Sequence, residues 1–176
     1  MTTSAPETED APPPRLRPTL AWMLRDPARI IACGFGSGLI RPAPGTWGTL
    51  FGWGTFVLFA PLVPDPWRLG VVAVAFVIGA YACGRAGRDL GIVDHGGFVW
   101  DEVVAIWLVL TLVPQDWPAQ LAAFLVFRFF DILKPQPIRY FDAKLKSGFG
   151  VMFDDLLAAF YTLLVFALHA RIFAHG

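Results

Sequence analysis

Cysteine is nearly missing from this chain. Cys33 and Cys83 are its two, too few for a disulfide framework, and no CxxC or Cys/His spacing offers a zinc site. Both are expected to pack as small apolar residues. Charge is equally thin: Lys, Arg, Asp and Glu make up 16% of the 176 residues and cancel to a net charge of zero. No nucleic-acid partner is expected. The first 20 residues, MTTSAPETEDAPPPRLRPTL, lack an apolar core of the signal-peptide kind, so no cleaved leader is expected and the first span should itself direct insertion.

Apolar residues fill what remains. They make up 56% of the chain, with a mean hydropathy of +0.56, above the roughly 45–50% of soluble proteins. That points to a single membrane domain. Apolar runs at about 47–63, 69–83, 98–113, 117–133 and 151–169 predict an all-α polytopic integral membrane helical bundle. Several runs fall short of the roughly 20 residues that cross a bilayer, so about four to five spans are expected. The tight turns PDPW (64–67) and PQDWP (114–118) predict antiparallel hairpins, with Trp67 and Trp117 at an interface.

Residues 1–25 are expected as a disordered N-terminal tail, rich in Pro, Thr and acids, and 26–176 as the helical membrane domain that carries the chemistry. Asp26 followed by Pro27 predicts the start of a short helix. Gly34, Gly36, Gly38, Gly45, Gly48, Gly52 and Gly54 then sit among Pro42 and Pro44, which excludes one regular helix. Two readings stay open. The glycines let helices approach closely, or backbone N–H groups with the Thr46 and Thr49 hydroxyls hold a phosphate or headgroup. The stretch matches neither GxGxxG, since position 39 is Leu, nor GxxxxGK[ST].

The zero net charge hides an asymmetry. Eleven of the fourteen Lys and Arg lie in the N-terminal segment, in 84–97 or in 134–150, leaving Arg68, Arg128 and Arg171 elsewhere. By the positive-inside rule the N-terminus and both longer loops are cytoplasmic. Five spans then put Asp94, Asp101, Glu102, Asp131, Asp154 and Asp155 near that same surface.

Acids beside apolar runs are costly and usually have a partner and a task. Carboxylate oxygens are hard ligands that suit Mg²⁺, which keeps waters and binds substrate phosphate. Asp101, Glu102, Asp131, Asp154 and Asp155 are therefore the candidate metal ligands and catalytic acids, with each adjacent pair expected to offer one direct ligand and one supporting acid. Arg128, three residues before Asp131, and Lys134 are placed to meet a phosphate. Simpler readings exist: an Arg128–Asp131 ion pair joining helices, or acids that favour helix starts. His95 is a proton carrier or a surface residue.

Known phosphatase signatures are absent. A C-x5-R motif fails because Asp89 stands six residues after Cys83, and there is no DxDx[TV], no Ser–Arg–His constellation and no DGxxAR. Phosphoryl chemistry here would be metal-assisted attack by water. A small membrane cation carrier or channel subunit, using the same acids as ion ligands, is the alternative.

Four blocks, GFGSGL…PAPGTWGTL at 34–50, DHGGFVWDE at 94–102, FRFFDILKPQPIRYFD at 127–142 and GFGVMFDD at 148–155, resemble the phosphatidylglycerophosphatase A family in order and spacing. The resemblance covers about 26–168. It implies a bacterial inner-membrane, multi-pass, Mg²⁺-dependent lipid phosphatase that converts phosphatidylglycerophosphate to phosphatidylglycerol, with its site on the cytoplasmic face. It implies that Asp101 and Glu102 are the family's WDE acids, Asp131 and Lys134 its FDxxKP residues, and Asp154 and Asp155 its DD pair. Arg128, Lys134 and Arg139 would engage the phosphate and the glycerol phosphodiester, alongside Thr46 and Thr49. Ser147, Ala105 and Ala159 stand where the resemblance leads one to expect glycine.

Overall fold

The computed structural model describes residues 17–145 and 147–173. The first sixteen residues of the expected tail therefore lie outside the described part. Within its remainder, Thr19 caps a one-turn helix, α1 (Leu20–Met23), its hydroxyl accepting from the Trp22 N–H at 3.2 Å. Asp26 and Pro27 open a short helix, as predicted: α2 (Pro27–Ala32) is capped by Asp26 Oδ1, which accepts from the Ala28 N–H at 2.8 Å. That bond holds the Asp26 carboxyl below the usual carboxylate range.

A 3-10 turn at Gly34–Leu39 leads to five longer helices, α3 (Pro44–Phe59), α4 (Asp65–Leu90), α5 (Trp100–Leu112), α6 (Trp117–Leu133) and α8 (Gly148–Phe173), with a short α7 (Ile138–Lys144) before the last. All regular structure among the described residues is helical. The long helices alternate in direction. At one end of the bundle the start of α3 meets Glu102 of α5, the end of α4 meets Gly148 of α8, and Lys134 at the end of α6 reaches Asp154.

Helix α5 is the centre. Its Val103, Val104, Ile106, Val109 and Leu110 are wholly buried, as expected of a helix that is apolar all round. Small residues set the spacing around it. A Cβ at Gly52 would stand 3.0 Å from the Val103 Cα, and one at Gly48 would strike Val99, so α3 lies almost backbone to backbone on α5. The helix-approach reading of these glycines thus holds for Gly48 and Gly52. Ala105 and Ala159, found where glycine was expected, are also fully buried.

The first predicted hairpin needs correction. Although α3 and α4 run antiparallel through a short turn, they scarcely touch; each packs on α5 instead. Trp100 and Trp107 of α5 fill the gap and send their indole N–H groups sideways, to Ala75 O on α4 at 3.0 Å and Gly52 O on α3 at 2.8 Å. Two bulky rings anchored to opposite neighbours hold those neighbours apart.

The outer surface is apolar. Leu62 is 81% exposed, Leu58 73% and Trp67 70%, and Val77, Leu125, Phe129 and Leu168 also face outward. Two helices, α4 and α8, are long and apolar enough to cross a membrane. Cys33 and Cys83 are both free thiols with no exposed surface, and burial pushes Cys33 up to about 12.

Candidate active site

Three helix ends converge beside the start of α3. Asp101 and Glu102 lie in the first turn of α5, Asp154 and Asp155 in the second turn of α8, and Asp131 near the end of α6. One ligand oxygen from each of Asp101, Glu102 and Asp155 lies within 4.8 Å of the other two. The two adjacent pairs behave differently. Asp154 turns to Lys134 while Asp155 joins the cluster, the division expected of neighbours about 100° apart on a helix. Asp101 and Glu102 both reach the cluster, against that expectation. Asp101 folds back over the helix start, its Oδ1 accepting from the Glu102 N–H at 3.0 Å, which swings its carboxyl toward Glu102.

Arg128 ties the acids to the rest of the bundle. Its guanidinium pairs with Asp131, stands 3.7 Å from Glu102 Oε1, and donates to Thr49 Oγ1 at 3.4 Å. The Arg128–Asp131 ion pair considered from sequence is therefore present, but it lies within α6 and joins no helices; what crosses to α5 and α3 is the approach of Arg128 to Glu102 and Thr49. Asp131 is an electrostatic neighbour of Asp155. Thr49 is fully buried and donates its own hydroxyl proton to Gly45 O at 2.9 Å. Thr46 stands half-buried one turn earlier. Lys134 sits in the left-handed region at φ 42°, closing α6 while its ammonium crosses to Asp154 on α8.

Other residues singled out from sequence are more open to solvent. Asp94 is exposed, and Arg139 is exposed on α7. His95 accepts from the Gly97 N–H at 3.0 Å through Nδ1 and leans on the Phe98 ring, and burial lowers its pKa. It is a loop residue, held by its own neighbours. Gly45, by contrast, was noted only among many glycines. A Cβ there would collide with Glu102 Oε1 and lie 3.1 and 3.2 Å from the two terminal nitrogens of Arg128. Its bare backbone is what lets α3 close the site, and the only sequence sign of it is the 45–48–52 spacing.

Five carboxylates thus meet two cationic side chains in a mostly buried space. Glu102 Oε2 and Asp155 Oδ2 are buried with no hydrogen-bond partner. A buried carboxylate oxygen without a partner is costly, and a hard divalent cation held by oxygen ligands removes that cost. The residues fit such an ion.

The family model of phosphatidylglycerophosphatase A matches residues 30–170. The chain belongs to the phosphatidylglycerophosphatase A family. The relative from Haemophilus influenzae, a phosphatidylglycerophosphatase A, is 51% identical over 143 residues, 81% of this chain and 88% of that one. The Escherichia coli phosphatidylglycerophosphatase A is 39% identical over 159 residues, 89% of this chain and 87% of the relative. No solved structure matches the chain. Every acid of the cluster, with Arg128 and Lys134, falls within the stretch matched to phosphatidylglycerophosphatase A.

Proposed function

We propose that this protein is a Mg²⁺-dependent phosphatase that hydrolyses the terminal phosphomonoester of phosphatidylglycerophosphate, giving phosphatidylglycerol and phosphate. The observation that carries the reading is the pair of buried, unpartnered oxygens, Glu102 Oε2 and Asp155 Oδ2, in an all-carboxylate cluster flanked by Arg128 and Lys134. Family membership supplies the substrate. Asp101, Glu102 and Asp155 would hold the ion, with Asp131 and Asp154 beside them. When bound, Mg²⁺ lowers the pKa of a coordinated water and offsets charge on the phosphate.

The chain's own residues do the rest. Lys134 and Arg128 present positive charge beside the acids, where phosphate oxygens arrive. Arg128 also keeps Glu102 and Asp131 in place, and Thr49 keeps Arg128 in place. Thr46, half-buried on α3, and Arg139, exposed on α7, would meet the headgroup, Arg139 its phosphodiester. The bundle is a multi-pass inner-membrane domain: apolar side chains such as Leu62 and Leu58 face outward around it, and the acid end also carries Arg25, Arg29, Arg85, Arg88 and Lys144, which favours the cytoplasmic side. The substrate's phosphate is presented at that face.

The cation-carrier alternative is not favoured, because it needs ionisable groups through the depth of the bundle. Among the described residues, α5 beyond Glu102 has none.

Phosphate release from phosphatidylglycerophosphate in mixed micelles, with Mg²⁺ and with excess chelator, is the test. Release with Mg²⁺ and none with chelator is expected. Folded protein that releases no phosphate with Mg²⁺ defeats the proposal.

A further inference from the structure

We infer that one acyl chain of the lipid substrate lies in the seam between α3 and α6, passing over Gly54, while its phosphate reaches the acids at the seam's end. This rests on the lipid-phosphatase reading above. Helix α3 turns Gly45, Gly48 and Gly52 toward α5 and the acids. About a quarter-turn or more away, Leu50, Trp53, Gly54 and Val57, with Trp117 of α6, line a cleft of about 290 Å³. That is near the lower limit of ligand pockets, roughly 300–1,000 Å³, and suits part of one chain rather than a whole lipid.

The floor has no polar demand. Trp53 stacks on Phe124 with ring centres 5.6 Å apart and leans on Trp117 at 5.4 Å, and its N–H is satisfied by Gln120 Oε1 at 2.7 Å. At its other end the same seam is crossed by the Arg128–Thr49 hydrogen bond, and Arg128 leads directly to Asp131 and Glu102. One groove therefore offers charge first and hydrocarbon after it, the order of groups along a phospholipid.

Gly54 marks the path. The neighbouring Gly48 and Gly52 lack side chains because α5 occupies the space, but a Cβ at Gly54 would meet nothing within 4 Å. Its bareness serves no helix contact and leaves a notch in the outward wall of the seam.

Larger clefts lie elsewhere, one of them, about 550 Å³, between α4 and Trp100. The cleft of about 630 Å³ between α6 and α8 lies at the opposite end of the bundle from the acids, around Leu112, Val113 and Pro114 and the last turns of α8. The cleft of about 420 Å³ at Phe35, Phe51 and Trp100 lies behind the Gly48–Val99 contact. The Arg128–Thr49 bridge between the same two helices, rather than size, selects the α3–α6 seam. Because a bilayer is as apolar as this groove, seating a chain adds little affinity. What it fixes is the position of the phosphate, and small misplacements reduce turnover strongly.

The test compares dipalmitoyl with dihexanoyl phosphatidylglycerophosphate at equal mole fraction in mixed micelles. It uses wild type, Gly54→Phe, Gly54→Leu and Gly70→Phe, with folding checked by circular dichroism. Gly70 is equally open but lies on α4, away from the seam. Wild type should prefer the long chain. Gly54→Phe should lower kcat/KM on it by about tenfold or more while sparing the short one, with Gly54→Leu intermediate and Gly70→Phe unchanged. The inference is overturned by a wild type indifferent to chain length, by an unaffected Gly54→Phe, by equal losses on both lipids, or by an equal effect at Gly70. A folded wild type that releases phosphate from neither lipid defeats the phosphatase reading itself, and the seam with it.

Discussion

A carboxylate surrounded by other carboxylates is held in place by the fold against its own electrostatics, and Asp155 is the clearest case. It is 3% exposed, with Asp131, Asp101 and Asp154 as its electrostatic neighbours. Asp155→Asn removes an oxygen that would hold the proposed ion and also relieves like-charge repulsion. Activity should fall by at least about 10²-fold, as expected when a metal ligand is lost. The metal-free protein should instead melt later, by roughly 2–4 °C for each kcal/mol of repulsion removed. Phosphate release and thermal unfolding in chelator measure the two effects, and a variant that loses activity by unfolding would show the opposite thermal shift. Gly45 makes a complementary case. Gly45→Ala improves helix propensity by about 1 kcal/mol, yet its methyl would push Glu102 and Arg128 aside. Activity should drop about tenfold or more with little change in melting; unaltered kcat would show that the site has room to spare.

Helix ends explain charges that the site does not use. Arg68 donates to Val63 O at 3.1 Å and Ala60 O at 2.7 Å, and pairs with Asp65 at 2.7 Å, so it closes the last turn of α3 from the first turn of α4. Arg68→Ala should cost about 1–2 kcal/mol, read as an earlier melting transition in detergent, with the activity of the folded protein unchanged. The elements were legible to the extent that apolarity marks them. The run 117–133 coincides with α6, and 98–113 brackets α5. Helix α4 runs seven residues beyond the apolar run that ended at Cys83, because Arg85 and Asp89 pair with Asp26 and Arg29 of α2, contacts between residues some 60 positions apart. Helix α7 was hidden inside a segment read as a loop. The gathering of the acids at one end was legible, since basic segments and acids beside apolar runs pointed to the same face. The exposure of Asp94 and the closeness of Gly45 were not, because both depend on which backbones touch.

Across the whole molecule, charged chemistry and apolar surface are divided between one end of the bundle and its flanks. The acids, Arg128 and Lys134 gather where α3, α5 and α8 begin and α6 finishes, and the outward faces carry Leu, Val, Phe and Trp. That division follows from the alternating directions of the long helices and from α5, which offers two acids at one tip and an apolar body beyond them. The two cysteines belong to the interior of this arrangement. Cys33 and Cys83 have no accessible surface, so in folded protein a maleimide should attach to neither, and after unfolding it should attach to both, a difference read directly as mass. The wild-type chain is thus a chemically silent background. A single cysteine introduced on any exposed loop becomes the sole reporter of that loop's accessibility to a thiol reagent in membranes, with no native thiol to remove first.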